Sequence, residues 1–192
     1  MKKSFTAQIF KVFIVGLLIT LTHTTFSQSN IRFGIRGGAH AGTQWGRNII
    51  YNPQGTLVGF EGGVFANIAL SEDISLCPEI AFSQKGFKID TSQITSNYIE
   101  VPLLLKINMG DEGLYTVIGP YASYLPTVND KVYNEEALGW GGILGFGVKL
   151  GENAFIEGRY NFSANIWRLS NDVTNPYGFR NTTIGLSLGY LF

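Results

Sequence analysis

Thr183-Ile184-Gly185-Leu186-Ser187-Leu188-Gly189-Tyr190-Leu191-Phe192 sets Ile184, Leu186, Leu188, Tyr190 and Phe192 against Thr183, Gly185, Ser187 and Gly189. Five apolar residues at period two describe a strand with one greasy face and one small or polar face. The same alternation recurs upstream. Ile31, Phe33, Ile35, Ala39 and Ala41 oppose Arg32, Arg36 and His40, and Val58, Phe60, Val64, Ala66 and Ile68 oppose Glu61 and Asn67. Leu76, Ile80 and Phe82 oppose Ser75, Glu79, Ser83 and Lys85, and Ile99, Val101, Leu103, Leu105 and Ile107 oppose Glu100 and Lys106. Trp140, Leu144, Phe146 and Val148 oppose Gly141, Gly145, Gly147 and Lys149. Ile156, Tyr160, Phe162 and Ile166 oppose Glu157, Arg159, Asn161, Ser163 and Asn165. One further segment, Leu114–Tyr124, is apolar on both parities, so its facing stays open. The pattern predicts eight strands.

The predicted connections alternate in length. Those around Ser71–Asp73, Gly110–Gly113 and Gly151–Asn153 are short; Gln44–Thr56, Lys88–Asn97, Thr127–Leu138 and Trp167–Phe179 are long. Short turns at one end and long loops at the other suit an antiparallel up-and-down barrel across an outer membrane. Trp45, Trp140 and Trp167, with Tyr98 and Tyr124, fall near the long-loop rim. Phe33, Phe155, Tyr190 and Phe192 fall near the other, giving two aromatic levels like interfacial girdles. A soluble eight-stranded barrel around a ligand would show the same alternation turned inside out. Glycines crowding the polar parity favour the membrane form, because a narrow lumen needs small residues and a solvated face does not.

Composition narrows the function classes. Of 192 residues, Lys plus Arg number 14 and Asp plus Glu 14, so no net positive charge recommends a nucleic-acid binder. Charged residues make up 15%, against roughly 25% in an average soluble domain. A single Cys excludes an intrachain disulfide and multi-cysteine metal sites. Lys2, Lys3 and Lys11 precede an apolar run from Val12 to Leu21, and small residues Thr25 and Ser27 follow. This reads as an export signal over residues 1–27, ahead of a barrel domain at 28–192. Its removal leaves a net charge of −3, three lysines having gone.

Phe33-Gly-Ile-Arg-Gly-Gly38, Tyr98-Ile-Glu-Val-Pro-Leu-Leu-Leu-Lys106, Gly119-Pro120-Tyr121, Gly145-Phe-Gly-Val-Lys149 and Gly189-Tyr-Leu-Phe192 resemble the small outer-membrane β-barrel family labelled "porin family" or PorT-like, of OmpA/OmpX-like architecture. The Glu100–Lys106 strand is the most telling piece. The resemblance spans the predicted mature chain and implies a Gram-negative outer membrane. It also implies insertion by the barrel-assembly machinery, through an aromatic signal that places Tyr190 and Phe192 in that role. It carries no activity across.

The candidate chemistry lies on the lumen parity. Arg32, Arg36, Lys85, Lys106, Lys149 and Arg159 face Glu61, Glu79, Glu100 and Glu157 there. An eight-stranded barrel is wide enough to be filled by side chains but too narrow for an aqueous channel. These charges are therefore expected to plug the lumen as ion pairs, since buried charges persist when paired and hydrogen-bonded. His40 and Cys77 are read as lumen residues, because no nucleophile–base arrangement surrounds either. The sequence predicts no catalysis, no cofactor and no metal. It predicts a structural or adhesive outer-membrane protein acting through its external loops on an extracellular protein or surface ligand. An accessory of a secretion machine and a soluble lipid-binding barrel are the alternatives.

Overall fold

A computed structural model describes residues 31–47, 55–89, 92–110, 112–126, 138–163, 167–168 and 178–192. The predicted export signal, residues 1–27, lies outside these. Among the described residues the strands are β1 (Ile31–Arg47), β2 (Gly55–Ala69), β3 (Ile74–Ile89), β4 (Ser92–Met109) and β5 (Leu114–Tyr124). They continue as β6 (Leu138–Leu150), β7 (Ala154–Ser163), β8 (Trp167–Arg168) and β9 (Gly178–Leu191). Each long strand pairs antiparallel with the next, and β1 pairs with β9 to close the sheet. The two-residue β8 pairs with the start of β9, continuing the seventh strand along the same neighbour. The result is a closed eight-stranded antiparallel barrel.

The apolar parity faces outward. Phe33, Val58, Phe60, Val64, Ile80, Val101, Leu144, Phe146, Ile184, Leu186 and Leu188 are all exposed on the wall. Water would not tolerate so continuous an apolar belt, whereas lipid requires it. The inverted, soluble arrangement is thereby corrected. Closure matters equally, since a bilayer supplies no partner for an open edge.

Turn chemistry fits the short connections. Gly110, Gly113 and Gly151 adopt φ of 68°, 76° and 81°, values that a Cβ disfavours. At the opposite end the strands run further than the sequence suggests. Lys88–Asn97, expected as a long loop, is largely ladder, with Gly86 opposite Thr95 and Ile89 opposite Ser92. Ile89, Ile94 and Thr95 are good strand formers, so the β3–β4 hairpin extends beyond the roughly 9–11 residues that span a bilayer. β3 has 16 residues and β4 has 18.

The aromatic levels are partly redrawn. Trp140 and Tyr124 stand exposed at the long-strand end, and Phe33, Tyr190 and Phe192 at the short-turn end. The backbones of Trp45 and Trp167 lie in β1 and β8, but their side chains fall outside the described residues. Phe155 and Tyr98, expected at the rims, are buried in the lumen instead. Each shares parity with a charged neighbour, Phe155 with Glu157 and Tyr98 with Glu100, and parity decides facing.

Candidate functional site

The lumen is built by the inward parity of all eight long strands. Its centre is a chain of ion pairs that begins at Arg36 of β1. Arg36 donates from Nη1 to Glu61 Oε1 (2.5 Å) and from Nε to Glu79 Oε1 (2.6 Å). Ser187 of β9 accepts from Arg36 Nη1 at 3.0 Å and donates to Glu61 Oε1 at 2.9 Å. Glu79 also accepts from Arg159 Nη1 at 2.9 Å, so one carboxylate bridges two guanidiniums. Arg159 Nε donates in turn to Glu157. A second pair lies nearer the long-strand end, where Lys85 Nζ donates to Glu100 Oε1 at 2.5 Å. The Tyr121 and Tyr98 rings lie 5.2 Å and 5.8 Å from that ammonium.

His40 is buried between the two groups. Its Nε2 sits 2.9 Å from the Gln84 carbonyl and its Nδ1 3.8 Å from Glu61 Oε2. Bonding to a carbonyl fixes a proton on Nε2. Neither neighbour is a nucleophile. Cys77 donates to Asn67 Oδ1 at 3.3 Å and is otherwise packed among apolar residues.

Between the ion-pair chain and the short-turn mouth lies an apolar layer that the sequence reading did not anticipate. Tyr115, Leu104, Val117 and Phe155 are buried together with Cys77, and Phe65 packs against them. Phe155 meets Phe65 and Tyr115 edge-on at centroid distances of 5.8 Å and 6.3 Å. Extending the parity of the charged residues along β2, β3, β4 and β7 points to Phe65, Cys77, Leu104 and Phe155, but β5 carries no charge and gives no such signal for Tyr115 and Val117.

Eight of the ten sequence-predicted lumen charges are buried: Arg36, Glu61, Glu79, Lys85, Glu100, Lys106, Glu157 and Arg159. Four of these are cations and four anions. Lys106 is not paired with Glu100 but sits with its ammonium 3.8 Å from the centroid of the Tyr115 ring. Arg32 and Lys149 do not join the buried chain. Both line the short-turn mouth, since they lie at the ends of their strands beyond the aromatic layer. Among the described residues no group of three or more His, Cys, Asp or Glu is placed to hold a metal ion.

A lumen whose described residues are ion pairs and edge-packed rings leaves little room for hydrated ions to pass. Planar bilayers containing the purified protein are therefore expected to show no stable large-conductance steps. Sustained conductance of porin size from correctly folded protein would refute a filled lumen.

The family model described as "Outer membrane protein beta-barrel domain" matches residues 26–165. No curated protein sequence matches the chain. Among solved structures, Neisserial surface protein A aligns with a TM-score of 0.54 at 12% identity, over 83% of this chain and 97% of that one. The outer membrane protein OprG from Pseudomonas aeruginosa aligns with a TM-score of 0.48 at 16% identity, over 85% and 96%. The likeness to the Neisserial protein is one of fold.

Proposed function

The chain belongs to the outer-membrane β-barrel domain family, and from that premise we propose that it is a non-catalytic surface protein that binds a partner through its external loops. Its place is the outer membrane, reached after removal of residues 1–27 and insertion that reads Tyr190 and Phe192. The lipid of that membrane covers the apolar wall.

The observation that supports the reading is the filled interior. Buried ion pairs and the Tyr115–Phe155–Phe65 layer occupy the space where a substrate or solute would pass. With the wall committed to lipid, the long-loop end is the principal surface left to meet a partner, and binding residues concentrate on loops held by a rigid scaffold. Two loops carry the side chains that anchor recognition surfaces: Asn129–Glu136 with Tyr133, and Trp167–Phe179 with Trp167, Arg168 and Tyr177. Asn129–Glu136 lies wholly outside the described residues, as does Trp167–Phe179 apart from the backbone at its two ends.

Replacing residues 128–137 or 169–178 by short Gly/Ser turns is expected to leave the heat-modifiable mobility of the folded barrel intact. Attachment of cells displaying the protein to protein- or polysaccharide-coated surfaces should then fall to the level of cells lacking it. Full attachment by both loop variants, with loss on mutating lumen residues, would move the function inside the barrel.

A further inference from the structure

We propose that the short-turn mouth of the barrel binds a phosphate-bearing anion, held by Arg32, Lys106 and Lys149. The site is at the opposite end from the loops and is independent of their function. The three cations come from β1, β4 and β6 and line one cavity of about 500 Å³, together with Asn67, Asn108 and Asn153. That volume falls within the roughly 300–1,000 Å³ of small-molecule pockets. Glu152 is the one acidic residue among those lining it.

Cations at a rim are ordinarily just solvated. Three features make this a built site. Lys106 is only 8% exposed, and among the described residues no carboxylate lies within ion-pair distance of it. The lumen glutamates are already engaged: Glu61 by Arg36, Glu79 by Arg36 and Arg159, Glu157 by Arg159, and Glu100 by Lys85. Lys106 rests on the Tyr115 ring instead, with Phe155 at 5.7 Å. A ring face attracts an ammonium but accepts none of its three N–H bonds in the ordinary way. A buried ammonium in that state is completed by an acceptor entering the cavity.

Arg32 is pre-positioned. Its Nη2 donates to Asn153 Oδ1 at 2.9 Å, its Nη1 reaches the Glu152 carbonyl (3.4 Å), and its Nε the backbone oxygen of Phe192 (3.3 Å). A guanidinium carries five N–H donors, so two remain for a ligand. Asn108 supplies the third feature: its Oδ1 is buried with no hydrogen-bond partner. Its Nδ2 already donates to the Glu72 carbonyl at 3.4 Å, so the open acceptor suits the P–OH of a monoprotonated phosphate. Three convergent cations exceed what one carboxylate balances and suit a phosphate of charge about −1.5 to −2. The arginine fork and the two point-charge ammoniums are also the usual pairing for phosphate oxygens. The phosphate could come from a lipid headgroup of the leaflet around this mouth or from a soluble phosphate ester, and the recognising chemistry is shared.

The test uses the full barrel folded in a phosphate-free glucoside detergent, titrated with glycerol phosphate and with dihexanoyl phosphatidic acid. Side-chain ¹⁵N resonances of Lys106 and Arg32 provide the readout. Saturable shifts are expected in the wild type, with binding weakened about tenfold in Lys149→Gln, the scale of one charge-assisted hydrogen bond. Binding should be lost in Lys106→Met. A response to the phosphatidic acid alone assigns the site to a headgroup, and equal responses assign it to a soluble ester; both sustain the proposal. The absence of a saturable shift with either ligand overturns it, as do superimposable isotherms for wild type and variants. If Lys106→Met fails to show folded mobility, the exposed-rim variant Lys149→Gln decides alone.

Discussion

Glu79→Ala is expected to lower the unfolding free energy of the barrel by about 3–5 kcal/mol, the cost of stranding a buried partner charge. The carboxylate removed is the one that bridges Arg36 at 2.6 Å and Arg159 at 2.9 Å. Glu61 and Glu157 remain, but each is already engaged with one of those guanidiniums and cannot reach both. The deficit should barely respond to salt, because screening acts weakly on buried pairs. Urea titrations in lipid vesicles, followed by heat-modifiable mobility, measure it. The Lys85–Glu100 pair gives the complementary comparison. Glu100→Leu alone strands Lys85, whereas Lys85→Met with Glu100→Leu removes both charges and should recover most of the loss. A Glu79→Ala barrel within about 0.5 kcal/mol of the wild type, the range of ordinary surface changes, would show that the bridge contributes nothing.

Gly38→Ala should prevent most of the protein from reaching the folded, heat-modifiable form, while Gly37→Ala should be nearly silent. The two glycines are neighbours in β1 and face opposite sides. A Cβ at Gly38 would lie 2.2 Å from the Leu186 carbonyl oxygen and 2.7 Å from the Ser187 Cα. Both obstacles are backbone of β9, which a rotamer change cannot clear. Gly38 pairs with Ser187 in the β1–β9 seam that closes the barrel, so relief would mean opening that seam. Overpacking a core typically costs about 1–3 kcal/mol and more when backbone must move, and here it exposes a sheet edge to lipid as well. At Gly37 the nearest atom to a new Cβ is 3.8 Å away, the Glu61 carbonyl oxygen. Alanine there loses less backbone entropy on folding than glycine. Equal yields of folded Gly37→Ala and Gly38→Ala protein would contradict this seam geometry.

The sequence by itself determined that the chain from Ile31 onward is an eight-stranded sheet with one apolar face and one bearing charge and glycine. Side-chain facing in a strand is a local property, repeated at every second residue, so Glu79, Glu100 and Arg159 could be assigned to a common face without knowing their partners. The apolar face, the glycines opposite it and the alternating connections pointed to lipid. The tertiary structure decided what local pattern leaves free. Leu114–Tyr124 is apolar on both parities, and only pairing with β4 and β6 turns Tyr115, Val117 and Tyr121 inward. Strand tilt and stagger determine which charges meet across the lumen, and those belong to the closed barrel as a whole. Arg36 thus finds Glu79 43 residues away and Ser187 151 residues away, while Lys106 meets Tyr115 rather than Glu100. The same global geometry leaves Gly37 open to lipid and presses Gly38 against the backbone of the last strand.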